Sequence, residues 1–175
     1  GALSSANPGS WAIGSYIGHI FADATYSFKG SIDDARIYSR ALSATEVKQL
    51  YNLGQVKVNE TLNTNINLNS GLLGYWTMDG KDTVWTSSTA ATTLDKSGNN
   101  NTGTLTSMTQ STATAAGKIG QGFNFDGVND YVTLTSNPIS NFANPNTVCA
   151  WAYPKTISNT TNSTKPRVIN LYTDS

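Results

Sequence analysis

The sequence predicts an antiparallel all-β protein with one short helix, and three observations carry this prediction. Thr, Ser, Asn and Gly dominate the polar residues, a composition that suits short strands joined by tight turns. About seven short runs alternate apolar and polar residues and end at Gly, Pro, Asn or Asp. Strong helix signals are confined to residues 43–51. We therefore expect an antiparallel β-sandwich with one helix near 44–51.

The helix prediction depends on local signals. Ser43 is a strong N-cap residue, and Glu46 follows where its carboxylate can reach back to the Ser43 amide, as in a capping box. An apolar stripe at helical spacing is then formed by Val47, Leu50 and Tyr51. This stripe is expected to pack against the sheets.

The residues before the helix, FKGSIDDARIYS, predict a strand. Strict alternation places six residues on one face: Phe28, Gly30, Ile32, Asp34, Arg36 and Tyr38. Ala35 and Ile37 are expected on the other face. As neighbours on one face, Asp34 and Arg36 are expected to form an ion pair.

Later strands are predicted in GLLGYWTMDG, in GKIGQGFNFDGVNDYVTL and in NTVCAWAYPKT, the last of which stops at Pro154. Trp76 and Trp151 lie in strands with a regular apolar face and are predicted to be core residues. Cys149 is the only cysteine, which excludes an internal disulfide, and it is expected to behave as a small apolar strand residue.

Composition argues against several classes of function. Eleven basic residues balance eleven acidic ones without a basic run, so a nucleic-acid partner is not expected. No apolar run is long enough to predict membrane insertion. Glycoside hydrolysis needs two carboxylates across a cleft, but Glu46 is used by the capping box and most Asp residues lie in turns. We therefore predict that the chain is not an enzyme.

Three segments resemble the laminin-G-like family, whose fold is a concanavalin A-like jelly roll. They are GLLGYWTMDG, then LDKSGNNNTGTL followed by GKIGQGFNFDGVNDYVTL, and FKGSIDDARIYSRALSATEVKQLY. In that family the first segment opens the domain and the strand–helix segment closes it, whereas here the order is reversed. The resemblance thus implies that residues 1–53 are the C-terminal part of a laminin-G-like domain and residues 71–175 the N-terminal part of one. Residues 54–70 are interpreted as a linker or a crossover.

The reversed order has two interpretations. In the first, the chain is a segment of a tandem array that contains the end of one domain, a linker and the start of the next. In the second, it is a circular permutation in which 1–53 folds onto 71–175. In both, the central strands of the family have no counterpart, so we expect an incomplete sandwich with open sheet edges.

The resemblance also raises calcium as a candidate cofactor, because many such domains hold calcium at their rim. Hard cations prefer carboxylate and amide oxygens from curved loops. The candidate ligands lie in the loops LDKSGNNN and FDGVNDY and are Asp95, Asn99, Asp126, Asn129 and Asp130. The alternative is that both loops are simply tight turns, which favour the same residues.

Carbohydrate binding is the second candidate activity, since sugars bind aromatic platforms flanked by amide and carboxylate groups. The aromatic candidates outside the predicted core are Trp11, Tyr16, His19 and Trp85. For His19, a surface or hydrogen-bonded histidine is the alternative.

The resemblance implies a non-catalytic extracellular module that binds glycans or proteins, in an adhesin-like or surface repeat protein whose neighbouring repeats are also partners. Two alternatives remain open: an accessory carbohydrate-binding domain of a secreted glycoside hydrolase, and a structural spacer.

Overall fold

The computed structural model describes residues 15–19, 27–53, 67–139, 144–155 and 167–171. Within these ranges the chain forms two antiparallel β-sheets, with eleven strands in total, and one short α-helix. The predicted all-β sandwich with a single helix is therefore confirmed. Fewer strands were predicted because several are only two or three residues long, too short to show an alternation.

The first sheet has six strands. In spatial order they are β11 (Ile169–Asn170), β1 (Tyr16–Ile17), β9 (Tyr131–Leu134), β6 (Gly103–Thr106), β5 (Ala91–Thr93) and β4 (Thr83–Trp85). A 3-10 turn at Gly80–Asp82 leads into β4.

The second sheet has five strands: β10 (Thr147–Pro154), β2 (Lys29–Tyr38), β8 (Gln121–Asp126), β7 (Thr114–Ala116) and β3 (Leu72–Trp76). Strand β2 pairs with β10 along one side. On its other side, its first half pairs with β8 and its second half with β3. A strand from the segment 1–53 thus lies between strands from the segment 71–175.

The core fills the space between the two sheets. Its members from the second sheet include Ile32, Ala35, Ile37, Trp76, Phe123 and Phe125, and those from the first sheet include Ile17, Leu105, Val132 and Leu134. Trp76 is fully buried, as predicted, and its indole N–H donates to the carbonyl of Asn101 at 2.8 Å. The hydrogen bond satisfies the one polar atom of this large side chain.

A β-bulge at Asp34 changes the predicted faces of β2. Cys149 pairs with Arg36 and Trp151 pairs with Asp33, so β2 carries one extra residue between these pairs. Asp34 itself has a positive φ of 58°. The bulge shifts the alternation by one residue, so that Ile32, Ala35 and Ile37 all reach the core. The prediction that Ile32 faces away from Ala35 and Ile37 was wrong.

The same bulge corrects the prediction for Trp151. Ala150 packs against the core, whereas Trp151 lies opposite Asp33 on the outward side of the sheet and is only partly buried. Cys149 is a half-buried free thiol in β10, and burial raises the pKa of its thiol. Val148 lies opposite the buried Ile37 but is 43% exposed, so the inner face of β10 is incompletely covered here.

The helix α1 spans Ala44–Leu53 and begins with the predicted capping box. The Ser43 amide donates to Glu46 Oε2 at 2.9 Å, and the Glu46 amide donates to Ser43 Oγ at 3.3 Å. Of the predicted apolar stripe only Leu50 is buried, while Val47 and Tyr51 are 49% and 53% exposed. In the ranges that the structure covers, no helix has the length and apolar character needed to cross a membrane.

Candidate functional site

The outward face of the second sheet carries a groove of about 430 Å³. Its lining comes from β2, from β10 and from the end of β7 with the loop that follows: Ser31, Asp33, Ala116, Gly117, Lys118, Trp151, Ala152 and Tyr153. We call this the β10 groove. A depression of about 510 Å³ elsewhere is lined only by Ser, Thr and Gln side chains, which offer neither a ring nor a charge. The β10 groove is therefore the stronger candidate site.

Asp33 is held at the floor of the β10 groove by two backbone amides. Its Oδ2 accepts hydrogen bonds from the amides of Lys118 at 2.7 Å and Ile119 at 2.8 Å. The loop approaches this closely because position 117 is a glycine, where a Cβ would lie 2.7 Å from Asp33 Oδ2. The carboxylate orientation is therefore set by the β7–β8 connection.

The other oxygen of Asp33 has no such partner. The residue is 3% exposed, and Oδ1 makes no hydrogen bond with any residue that the structure describes. Burial raises the pKa of Asp33 to about 6, and the charges of Asp34 and Asp79 act in the same direction, whereas the two amide hydrogen bonds oppose the shift. A buried polar atom without a partner lowers the stability of a protein, so a hydrogen bond donated to this oxygen by a ligand would be favourable.

Aromatic rings form the β10 side of the groove. The Trp151 ring lies 5.5 Å from the Tyr51 ring of α1, at an interplanar angle of 40°. The Lys118 ammonium lies 5.5 Å from the centroid of the Trp151 ring, within cation–π range. Tyr153 is 72% exposed. The indole is thus braced by two neighbours, while the Tyr153 ring is open to solvent.

Next to the groove, the bulge is stabilised by an ion pair. Arg36 Nη2 lies 3.2 Å from Asp34 Oδ2, which confirms the predicted pairing of these residues. The Arg36 guanidinium also stacks 4.1 Å from the centroid of the Tyr75 ring. Burial, followed by a hydrogen bond to Asp34, raises the pKa of Tyr75 to about 12. These contacts are internal to the sheet and fix the backbone beside Asp33.

The structure describes three of the four predicted carbohydrate-binding residues. Trp11 lies outside the described residues. Tyr16 and His19 are buried, and both pack on Tyr131: the Tyr16 ring edge-on at 5.7 Å and the His19 ring stacked at 5.2 Å. Trp85 lies in β4 at the far end of the same sheet, with three strands between β4 and β1. The three described residues, Tyr16, His19 and Trp85, do not form one open platform.

His19 occupies a hydrogen-bonded position. Its Nδ1 lies 2.9 Å from Ser27 Oγ, and this hydroxyl in turn donates to the Val128 carbonyl at 2.8 Å. The ring therefore links β1 to the loop after β8. This arrangement matches the alternative interpretation, a hydrogen-bonded histidine.

In the first candidate calcium loop, the Asp95 carboxylate organises the backbone. Its Oδ1 accepts from the amides of Tyr75 at 2.9 Å and Ser97 at 2.8 Å, and its Oδ2 accepts from the Asn101 amide at 2.9 Å. Asn99 donates through Nδ2 to two carbonyls of β3, at 2.9 and 3.1 Å. Both side chains tie the loop to β3.

The second candidate loop uses its carboxylates in the same way. Asp126 Oδ1 accepts from the amides of Val128 at 2.7 Å and Asn129 at 3.3 Å. Asp130 Oδ2 accepts from the Asp126 amide at 3.0 Å, and burial raises the pKa of Asp130. Among the described residues, no group of three or more His, Cys, Asp or Glu side chains is placed to hold a metal. Calcium binding stays a prediction.

The chain matches no protein-family model, no curated protein and no solved structure. The laminin-G-like resemblance therefore stays a hypothesis, and a functional argument has to start from the β10 groove.

Proposed function

We propose that this chain is a non-catalytic glycan-binding module and that the β10 groove is its binding site. One observation carries the proposal: Asp33, a buried carboxylate with one oxygen that makes no hydrogen bond with any described residue, lines the same groove as a braced indole ring. A pyranose ring offers the two complementary features, hydroxyl groups that donate hydrogen bonds and an apolar C–H face that packs on an aromatic ring.

The position of the groove favours a glycan over a peptide. A peptide that binds a β-protein commonly adds a strand at a sheet edge, where backbone amides and carbonyls are unpaired. The β10 groove lies on the face of the sheet, and side chains such as Asp33, Trp151 and Tyr153 contribute to its lining. Its polar side-chain groups include a carboxylate, a hydroxyl and an ammonium group, supplied by Asp33, Ser31 and Lys118.

The groove also favours binding over hydrolysis. Glycosidases typically use two carboxyl groups on opposite sides of the scissile bond. Among the residues that line the groove, Asp33 is the only one with a carboxyl group. With its raised pKa, Asp33 could act as a general acid, but the residues that line the groove provide no second carboxylate to complete the pair.

In its wider setting, we propose an extracellular or cell-surface location in an adhesin-like repeat protein, as the resemblance implies. An accessory domain of a secreted glycoside hydrolase would use the same groove. A structural spacer would need no binding site, and the open groove argues against it.

A glycan array probed with the wild-type chain, with and without EDTA, tests the proposal. Binding that survives Trp85→Ala but is lost in Trp151→Ala is the expected result, with thermal unfolding used to show that both variants are folded. The reverse pattern would move the site to Trp85 in the first sheet. Loss of binding in EDTA would show that calcium is needed.

Two further results would reject the proposal. Binding to no glycan under any condition would favour the spacer. Release of new reducing ends from a glycan by this chain alone would show that it is catalytic.

A further inference from the structure

We propose that the β10 groove has two consecutive sugar subsites, one formed by Trp151 with Asp33 and the other by Tyr153 with Ser31. The ligand is then an extended glycan chain that places neighbouring sugar units over the two pairs, and not a single terminal sugar. The inference rests on the proposed glycan-binding function.

The strand register sets up the two pairs. Trp151 lies directly opposite Asp33, and Tyr153 lies directly opposite Ser31. All four residues line the groove. Both pairs lie on the same side of the bulge at Asp34, so the bulge does not interrupt the register between them. Each pair therefore joins an aromatic ring on β10 to an oxygen-bearing side chain on β2.

The spacing of the pairs suits a repeating ligand. Residues two apart in a strand lie on one face and are about 6.8 Å apart. Consecutive pyranose units of an extended glycan repeat on a similar scale, so one chain running along β10 can place one sugar on each ring. The groove volume of about 430 Å³ is large enough for such a short segment.

The two subsites differ in the polar group that they offer. At the first, the Asp33 carboxylate can only accept hydrogen bonds when it is ionised, and its Oδ1 has no hydrogen-bond partner among the described residues, so this group suits a ligand hydroxyl that donates. At the second, the Ser31 hydroxyl both donates and accepts. The neighbouring strand β8 packs closely against β2 beside the first subsite, because position 122 is a glycine, where a Cβ would lie 2.8 Å from the Ile32 carbonyl oxygen and 3.0 Å from Asp33 Cβ. The first subsite is thus the more selective and the second the more tolerant.

The two rings differ in support as well. Trp151 is braced by Tyr51 and by the Lys118 ammonium, whereas Tyr153 is 72% exposed. A braced ring loses less freedom when a ligand packs on it. We expect the first subsite to contribute more of the affinity and the second to extend it.

Calorimetry with sugars of increasing length tests the inference. The probes are glucose, mannose and N-acetylglucosamine, each with its β-1,4-linked dimer, trimer and tetramer. For the sugar that binds, we expect affinity to rise about tenfold from monomer to dimer and to change little beyond it. Tyr153→Ala should weaken dimer binding about three- to tenfold and should weaken monomer binding clearly less, because the monomer binds mainly at the Trp151 subsite.

Tyr153→Ala should leave the stability of the fold nearly unchanged, because the Tyr153 side chain is exposed. Val148→Ala is its control, since Val148 is an exposed residue of the same strand on the opposite face. A monomer that binds as tightly as the dimer, or a dimer unaffected by Tyr153→Ala, would overturn the two-subsite inference but leave glycan binding intact. Failure of every sugar at every length would overturn both.

Discussion

Asp33 of β2 lies directly opposite Trp151 of β10, so that a buried carboxylate and a partly exposed indole face the same groove. Oδ2 of Asp33 is bonded to the backbone, whereas Oδ1 makes no hydrogen bond with any described residue. The burial of Asp33 therefore lowers the stability of the free protein, and a ligand that donates a hydrogen bond to the carboxylate can offset this loss. Measurements at different pH values separate the effect of Asp33 on stability from its effect on ligand binding.

Replacing Asp33 should remove a pH dependence of stability. Burial raises the pKa of Asp33 from 3.8 to about 6. The unfolded chain then releases this proton at lower pH than the folded chain does, so the free energy of unfolding falls as the pH rises through that window. In Asp33→Asn the free energy of unfolding should not fall in this way. Between about pH 4 and pH 7, the stability of the variant relative to wild type should therefore rise by on the order of 2 kcal/mol.

Urea unfolding of both proteins across this pH range measures the difference. The amide oxygen of Asn can still accept from the amides of Lys118 and Ile119, so the loop should stay in place. Asp130, whose pKa is also raised by burial, titrates in both proteins and cancels. A stability difference that stays constant with pH would show that Asp33 titrates normally.

Glycan affinity should change over the same pH range. Because Oδ2 already accepts two amide hydrogen bonds, the proton of the neutral acid belongs on Oδ1. Above about pH 6 the ionised oxygen accepts a charge-assisted hydrogen bond from a sugar hydroxyl, and we expect about tenfold tighter binding at pH 7 than at pH 5. Calorimetry at the two pH values should show this change in wild type and none in Asp33→Asn. Tighter binding at the lower pH would mean that Oδ1 donates to the ligand.

Two arginines in ion pairs should differ in their importance for folding. Arg36 is buried with Asp34, and Arg36→Ala leaves that carboxylate buried without its partner at a cost of about 3 kcal/mol. Arg40 pairs with Glu46 nearer the surface, so Arg40→Ala should have a clearly smaller effect. Chemical denaturation of the two variants compares them directly. Equal losses would contradict the assignment of Arg36 as the residue that stabilises the bulge.

The helix start offers a local test. Ser43→Ala removes the side-chain oxygen that accepts from the Glu46 amide, and we expect a loss of about 1 kcal/mol. Thr45→Ala is the control, because Thr45 is exposed inside the helix and alanine there should be neutral or slightly stabilising. Thermal unfolding gives both values. A helix that depended on tertiary contacts alone would respond equally to the two changes.

The parts of the fold that follow local rules were predictable from the sequence. Ser43 and Glu46 sit three positions apart in the chain, and their reciprocal hydrogen bonds need no other element. The longer strands were predictable for the same reason, since alternation is a local pattern. Two-residue strands such as β1 and β11 exist only because neighbouring strands pair with them.

The groove was not predictable in this way. Strict alternation assigned Trp151 to the core, because the pattern contains no sign that β2 gains a residue at Asp34. The sequence around Asp33 shows no sign of a site, since its amide partners come from a loop more than eighty residues away. One signal in the sequence was missed: Trp151 and Tyr153 share a face in a strand that ends at a proline.

The placement of β2 also has a consequence for how the chain reaches its native state. Its pairing with β10 begins beside a hydrogen bond from Thr147 to Arg40 that closes a loop of 107 residues. On the ribosome, the strand at the centre of the second sheet emerges long before the strand that covers it. Such long-range pairing makes folding slow and leaves β2, nearly all of which is buried in the native state, without its partner in the meantime. Newly made chains should therefore depend on chaperones more than a sheet built from neighbouring hairpins would.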